Sequence, residues 1–116
     1  MENEANSSSE NDLGYLKILK AVMELPFQVG KNLLFDFLDG SYKNKSIINN
    51  KLDELYNFGT LHWQKDKLFH ELDRLEQNGM IELSASDYNK FVKVYKLTIK
   101  GRNEITHPTL NNKKVI

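Results

Sequence analysis

The spacing of apolar residues changes once along this chain, at Asn78-Gly79, and this change constrains the fold more than any other feature. Before it, apolar residues recur every three or four positions, which is the period of amphipathic helices. After it, Met80–Leu83 and Phe91–Leu97 are rich in β-branched and aromatic residues and are separated by a polar turn at 84–90. The pattern therefore predicts a mostly α-helical domain that ends in a small antiparallel β-hairpin.

Capping and helix-breaking residues divide the first part of the chain into four predicted helices. These cover approximately residues 12–25, 30–39, 46–59 and 65–77. Asp12 can cap the first helix and Ser46 the third, while Thr60–His62 is long enough for one strand fragment. After the hairpin, Thr98 can cap a closing helical turn. Several helices, a hairpin and a closing turn follow one another in the order of a winged-helix domain, with the hairpin as the wing.

Polar segments flank the predicted domain at both ends. Residues 1–11 are serine-rich and acidic, and we expect them to form a disordered tail. Residues 107–116 contain Pro108 and several polar residues, and we expect a second, loose tail there. The winged-helix domain is thus expected to occupy residues 12–106, which is long enough for one compact core.

Composition excludes several classes of protein. The chain has no cysteine, which excludes disulfides and thiolate zinc sites and suits a cytoplasmic (nucleoid) or nuclear location. It has no apolar run of about 20 residues that could span a membrane, and no secretory signal. There is no G-x-x-x-x-G-K-[ST] motif and no catalytic set of side chains. His62, Asp66 and His70 have helical spacing, but His62 precedes the fourth helix. We expect no catalytic activity, no cofactor and no metal site.

The charge of the chain is unevenly distributed. The formal net charge is zero, but residues 80–116 carry seven basic and three acidic side chains. A surface that binds phosphate needs a local excess of positive charge, not a global one. The alternative is a solvated face followed by a lysine-rich tail.

The segment between the second and third helices has the composition of a phosphate-binding loop. It contains two hydroxyl side chains, Ser41 and Ser46, and two lysines, Lys43 and Lys45. Point charge, hydrogen bonds and the backbone N–H groups at a helix start can together bind phosphate. The alternative is an ordinary solvated loop in which Ser46 is a plain N-cap.

The tip of the hairpin carries two aromatic residues on either side of Lys90, Tyr88 in the predicted turn and Phe91 at the start of the return strand. Exposed aromatic rings are costly in water unless they find a partner, and nucleobases offer such a partner. The alternative is that both rings fold back as a cross-strand cluster. Tyr95 is expected in the core, and Lys93, of the same strand parity but nearer the turn, is expected to be exposed.

Three segments resemble one family of winged-helix domains. YNKFVKVYKLTIKGRNEI at 88–105, FDFLDGS at 35–41 and YNFGT at 56–60 are similar to the RQC domain of RecQ-type DNA helicases. They follow one another in the order of that family, and the resemblance extends over about residues 13–106. The resemblance implies a domain that binds duplex ends, forks or junctions of double-stranded or forked DNA. It also implies a helicase core as a further partner, in cis or in trans.

The same resemblance implies roles for individual residues. Ser41 matches the family's phosphate-contacting Gly-Ser, and Phe91 matches the tip aromatic that separates a terminal base pair. Tyr88 belongs to the same tip, and Lys90 and Lys93 would bind the flanking phosphates. One departure is Asp39, because the family often has Arg at that position.

The sequence contains neither the helicase core nor the zinc module that often accompany this domain, and we expect the chain to be either an excised domain or a free-standing relative. Two other functions remain open. A winged-helix transcription regulator would read the major groove with the fourth helix, although that helix mixes acidic and basic residues. A protein–protein interaction module is compatible with the zero net charge.

Overall fold

A computed structural model describes the backbone of residues 2–110 and the side chains of residues 13–110. Within that range the chain forms five α-helices, one 3-10 turn and one antiparallel β-hairpin. In chain order these are α1 (Glu2–Glu24), α2 (Lys31–Asp39), α3 (Lys45–Asn49), the 3-10 turn (Leu52–Glu54), α4 (Lys65–Gln77), β1 (Ile81–Ala85), β2 (Lys93–Leu97) and α5 (Ile99–Thr106). The predicted mostly α-helical, winged-helix architecture is confirmed.

The start of α1 differs from the sequence-based expectation. The helix begins at Glu2, well before the expected cap Asp12, so the backbone of the predicted disordered tail is helical from Glu2 onward. No glycine or proline interrupts residues 2–12. Extending an existing helix adds one hydrogen bond per residue and avoids the cost of nucleation. Met1 lies outside the described residues.

The third helix is shorter than predicted. α3 ends at Asn49, and Lys51 then adopts the left-handed conformation with φ of 56° before the 3-10 turn. The side-chain amide of Asn50 donates a 2.8 Å hydrogen bond to the carbonyl of Ser46. Asparagine side chains that bond to backbone carbonyls in this way compete with the backbone hydrogen bonds of the helix, and this competition disfavours continuation of the helix. The expectation of one helix over 46–59 is therefore wrong.

A single hydrophobic core joins the helices to the base of the hairpin. The most buried members from α2 to β1 are Leu34, Phe37, Leu38, Ile47, Leu52, Leu68, Leu72, Leu75, Met80 and Ile81, and Tyr95 of β2 belongs to the same core. The core position expected for Tyr95 is confirmed, with 4% of the residue exposed. Leu97 is half-buried and packs against the edge of the same core.

The hairpin is the wing of the domain. Ile81 pairs with Leu97 at its base, and Ala85 pairs with Lys93 at its outer end. Because β2 begins at Lys93, Phe91 lies in the turn and not in the strand expected over Phe91–Leu97. The backbone N–H of Tyr95 donates a 2.9 Å hydrogen bond to the carbonyl of Val29, which attaches the wing to the segment before α2.

Two smaller expectations have different outcomes. Thr98 caps α5 as predicted, because its hydroxyl oxygen accepts a 3.0 Å hydrogen bond from the N–H of Gly101. Thr60–His62 is not a strand, although the N–H of Leu61 donates a 3.1 Å hydrogen bond to the carbonyl of Leu38. That bond joins the segment to the end of a helix, where no partner strand is available.

The segment after α5 is anchored at its beginning. The backbone N–H groups of Thr109 and Leu110 both donate hydrogen bonds to the carboxylate of Glu104. The tail predicted to be loose over 107–116 therefore starts with an attached segment, and 111–116 lie outside the described residues. Across residues 2–110, none of the helices has both the length and the apolar character needed to cross a bilayer.

Candidate nucleic-acid interface

The α2–α3 loop, residues 41–44 with the first residues of α3, leaves α2 in a fixed direction. Gly40 ends α2 in the left-handed conformation, with φ of 82°, and its N–H donates to the carbonyls of Asp36 and Phe37. A Cβ atom on Gly40 would lie 3.0 Å from the Cα atom of Gly59. Only glycine combines this φ with so close an approach of two backbones. The crossing with Gly59 thus sets the position from which the loop starts.

The loop exposes cationic and hydroxyl groups together. The Oγ of Ser41 accepts a 3.3 Å hydrogen bond from the N–H of Lys43, which leaves its hydroxyl hydrogen available to donate. Lys43 and Lys45 are both exposed, and neither forms an ion pair within residues 13–110. These groups can bind a phosphate through charge and hydrogen bonds.

The start of α3 is capped by Asn44 and not by Ser46. The side-chain oxygen of Asn44 accepts a 2.9 Å hydrogen bond from the N–H of Ser46, and its amide group donates a 2.8 Å hydrogen bond to Asp36. Asparagine is as good an N-cap as serine, and here it stands two positions earlier. The Ser46 N–H, expected to be free for phosphate, is therefore occupied. The exposed hydroxyl of Ser46 remains, but a helix as short as α3 adds little macrodipole.

Acidic side chains lie at the end of α2, next to this loop. The carboxylate of Asp39 is 3.3 Å from the Nδ1 of His62; the His62 side chain is largely exposed and the Asp39 side chain is about half-buried. Asp36 lies one turn earlier and is bound by Asn44. Negative charge at this position opposes the binding of phosphate. The departure at Asp39 noted in the sequence therefore has an electrostatic consequence for the loop.

The tip of the wing presents both aromatic side chains to solvent. Tyr88 is 99% exposed and Phe91 is 84% exposed. The turn itself is ordered by hydrogen bonds, with the N–H of Phe91 donating to the side-chain oxygen of Asn89 at 3.0 Å and the N–H of Ser86 donating to the carbonyl of Val92 at 2.8 Å. The Nζ of Lys90 lies 5.6 Å from the centroid of the Phe91 ring. The two rings do not fold back as a cross-strand cluster.

Two grooves run beside the wing. The larger, of about 890 Å³, is lined by Met23 and Phe27, by Asn50 from the end of α3 and by Tyr88 from the wing tip. The end of α3 and the wing therefore border the same groove. None of the hydrogen bonds or ion pairs between described residues joins the α2–α3 loop directly to the wing tip.

The smaller groove brings together two lysines that are distant in sequence. It has a volume of about 540 Å³ and is lined by Lys31 at the start of α2, by Phe69 on α4 and by Lys93 on β2. The Nζ of Lys31 lies 4.7 Å from the centroid of the Phe69 ring. Lys31 was not among the residues singled out from the sequence. The sequence did contain a signal for Lys31: it is a lysine at the first position of a helix whose first turn has no acidic residue to neutralise it.

Comparison with known protein families shows to which family the chain belongs. The family model of the RQC domain matches residues 14–114. The chain belongs to the RQC domain family. RQC domains are non-catalytic, DNA-binding accessory domains of RecQ helicases, so DNA is the partner class of this RQC domain. The curated proteins that were searched contain no match to the chain.

The lysines of α4 in this RQC domain lie over aromatic rings. The Nζ of Lys65 is 5.3 Å from the ring centroid of Phe35, and the Nζ of Lys67 is 4.3 Å from that of Trp63. Such cation–π contacts hold the ammonium groups close to the protein surface. In the part of the chain with described side chains, no three potential ligands are grouped closely enough to bind a metal ion.

Proposed function

We propose that this RQC domain binds duplex ends, forks or junctions, holds them by their phosphates and separates the terminal base pair with Phe91 at the wing tip. The observation that carries the proposal is the 84% exposure of Phe91 in a hydrogen-bonded turn. A fixed turn projects the ring away from the core. The ring is therefore available to a partner outside the chain.

The energetics favour an aromatic side chain for this task. Opening a base pair costs a few kcal/mol, part of which is the loss of stacking between neighbouring bases. An aromatic ring can replace that stacking, and base–aromatic stacking contributes about 1–3 kcal/mol per base. Tyr88, at 99% exposure, offers a second ring on the same turn. A lysine at the tip could attract the strand but could not replace a stacking neighbour.

Phosphate contacts would hold the DNA while the ring acts. Lys90 lies beside Phe91, and Lys93 lines the smaller groove with Lys31. The α2–α3 loop supplies Ser41, Lys43, Lys45 and Ser46 as further phosphate-binding groups. Contacts of this kind position a protein on the backbone without reading its sequence. We therefore expect a preference for DNA structure and little preference for base sequence.

Two single variants separate strand separation from phosphate binding. Phe91→Ala should leave the fold intact, reduce affinity for duplex ends modestly and sharply reduce melting of the end, reported by 2-aminopurine fluorescence at the terminal pair. Lys90→Ala should weaken binding but melt the end normally once the DNA is saturated. If Phe91→Ala melts ends as well as the wild type at saturation, Phe91 is not the strand-separating residue.

The preferred DNA is tested with labelled forked, blunt and palindromic duplexes at two salt concentrations. A preference for forks or ends supports the proposal, whereas a preference for one sequence supports a transcription regulator, and the absence of salt-dependent binding supports a protein–protein module. A helicase core, in cis or in trans, would supply translocation along the DNA. The proposed context is DNA repair, replication and recombination.

A further inference from the structure

One exposed aromatic residue lies outside the wing, within the α2–α3 loop. Tyr42 is 66% exposed, and its ring packs edge-to-face on Phe58, with centroids 5.3 Å apart and planes at 65°. Phe58 in turn packs edge-to-face on the fully buried Phe37, with centroids 5.8 Å apart. The tyrosine ring is therefore fixed to the core through a series of three rings. Its orientation does not depend on the loop alone.

This packing leaves part of the ring available to a ligand. An edge-to-face contact with Phe58 covers at most one of the two faces of the Tyr42 ring, so at least one face remains for another partner. Tyrosine has few rotatable bonds, and a ring already fixed by packing loses little conformational freedom when a ligand binds. The exposed face thus has the properties of a preorganised stacking surface.

The neighbours of Tyr42 indicate the chemistry of the ligand. Lys43 follows it directly and Lys45 lies two residues further on, both exposed and without an ion pair in residues 13–110. A π-face combined with cations matches a nucleotide, which has a flat base and a negatively charged phosphate. Bases inside a duplex are covered on both faces by their neighbours. Only an unpaired or terminal base has a face free for Tyr42.

We propose that Tyr42 stacks on an unpaired base of a DNA strand whose phosphates are bound by Lys43 and Lys45. This inference rests on the proposed function, in which the α2–α3 loop binds phosphates of the DNA. It adds that the DNA bound by this loop is single-stranded. It adds a second aromatic contact, separate from the wing. A domain that opens a duplex end would then also hold a base that is no longer paired.

Tyr56 provides a matched control. It is more exposed than Tyr42, at 86%, and the N–H of its backbone is held by the Glu24 carboxylate at 2.7 Å. Within three residues of it in sequence lie two acidic residues, Asp53 and Glu54, and no basic one, whereas Tyr42 has two lysines and one acidic residue, Asp39, in the same range. A phosphate would be repelled there. We therefore expect Tyr56 to make no contribution to strand binding.

The experiment uses the full chain and two labelled single strands of equal length, an oligothymidylate and its abasic counterpart, with affinity measured by fluorescence anisotropy. Tyr42→Ala should weaken binding to the oligothymidylate by about fivefold or more. It should leave binding to the abasic strand unchanged. Tyr42→Phe keeps the ring and should bind both strands like the wild type, as should Tyr56→Ala. Unchanged thermal midpoints show that the variants are folded.

Three results would overturn the inference. The first is that Tyr42→Ala loses as much affinity for the abasic strand as for the oligothymidylate, which would mean that the ring only positions the lysines. The second is that Tyr42→Ala loses no affinity for the oligothymidylate. The third is that Tyr56→Ala loses as much affinity for the oligothymidylate as Tyr42→Ala does. The proposed function can fail separately. If the wild type binds neither single-stranded nor duplex DNA, both ideas fail. If it binds and melts duplex ends but Tyr42→Ala has no effect on the oligothymidylate, only the stacking role of Tyr42 fails.

Discussion

The phenolic hydroxyl of Tyr15 donates a 2.6 Å hydrogen bond to the carboxylate of Glu104, and both residues are buried, at 2% and 3% exposure. The same carboxylate accepts hydrogen bonds from the N–H and hydroxyl of Thr109 and from the N–H of Leu110. Burial by itself raises the pKa of Glu104, but these hydrogen bonds outweigh it, and the pKa lies below its ordinary value. One buried charge therefore holds α1, α5 and the segment after α5 together.

Replacing this carboxylate should lower the stability of the domain. Glu104→Gln keeps the shape but removes the charge, and its amide N–H₂ faces groups that are themselves donors. We expect the free energy of unfolding at neutral pH to fall by about 1–3 kcal/mol, measured by urea denaturation. Tyr15→Phe removes only one of the donors and should cost less.

The same variant should change the dependence of stability on pH. Since the pKa of Glu104 in the folded state lies below its ordinary value of 4.5, the carboxylate stabilises the fold above that pH. This contribution is lost as the pH falls through the folded-state pKa. The stabilities of the wild type and Glu104→Gln should therefore converge in acid. A difference that stays constant between neutral and acid pH would contradict this account.

The lysines of the α2–α3 loop should control the salt dependence of DNA binding. Lys43→Ala with Lys45→Ala should weaken duplex binding about equally for all sequences. It should also flatten the slope of log affinity against log salt by about 0.9 for each lost phosphate contact. Lys65→Ala with Lys67→Ala on α4 is the matched control, with the same change in charge. If the control flattens the slope and the loop variant does not, α4 is the DNA-binding surface.

Reversing the charge at Asp39 should strengthen binding. Asp39→Arg removes an acidic group next to the loop and adds a cation at the position where the family often has Arg. We expect tighter duplex binding and a slope steeper by about 0.9 if the new arginine contacts one phosphate. Asp39→Asn removes only the negative charge and should have an intermediate affinity. Weaker binding by Asp39→Arg would show that the pairing with His62 is needed for the loop's conformation.

Truncation of two core leucines should have unequal effects. Leu72 on α4 is fully buried, so Leu72→Ala should lower the free energy of unfolding by about 2–5 kcal/mol. Leu97 on β2 is only half-buried, and Leu97→Ala should cost less because part of its surface already contacts water. Chemical denaturation of both variants tests this order. Equal losses would mean that the base of the wing is packed as tightly as the centre of the core.

Local sequence was sufficient for much of the fold. α4 spans Lys65–Gln77 as predicted, because Leu68, Leu72 and Leu75 repeat at helical spacing and Asn78-Gly79 ends the helix, with Gly79 at φ of 76°. The helix cap at Thr98 and the existence of the hairpin were likewise predicted from local sequence. Each of these features depends on residues within one or two turns of one another.

The positions of the functional side chains depended on contacts between different elements of the fold. Phe91 is exposed because strand pairing stops at Ala85 and Lys93, a register that the turn sequence did not specify. Asn44, and not Ser46, is the N-cap of α3, and its side chain also donates a hydrogen bond to Asp36 on α2.

The burial of the Glu104 carboxylate, which anchors the segment after α5, involves the most distant of these contacts. Glu104 and Tyr15 are 89 residues apart in sequence, and no periodicity or local motif relates them. Periodicity determines which face of an element is apolar, but only packing against other elements decides which polar groups are buried and which charges reach the surface.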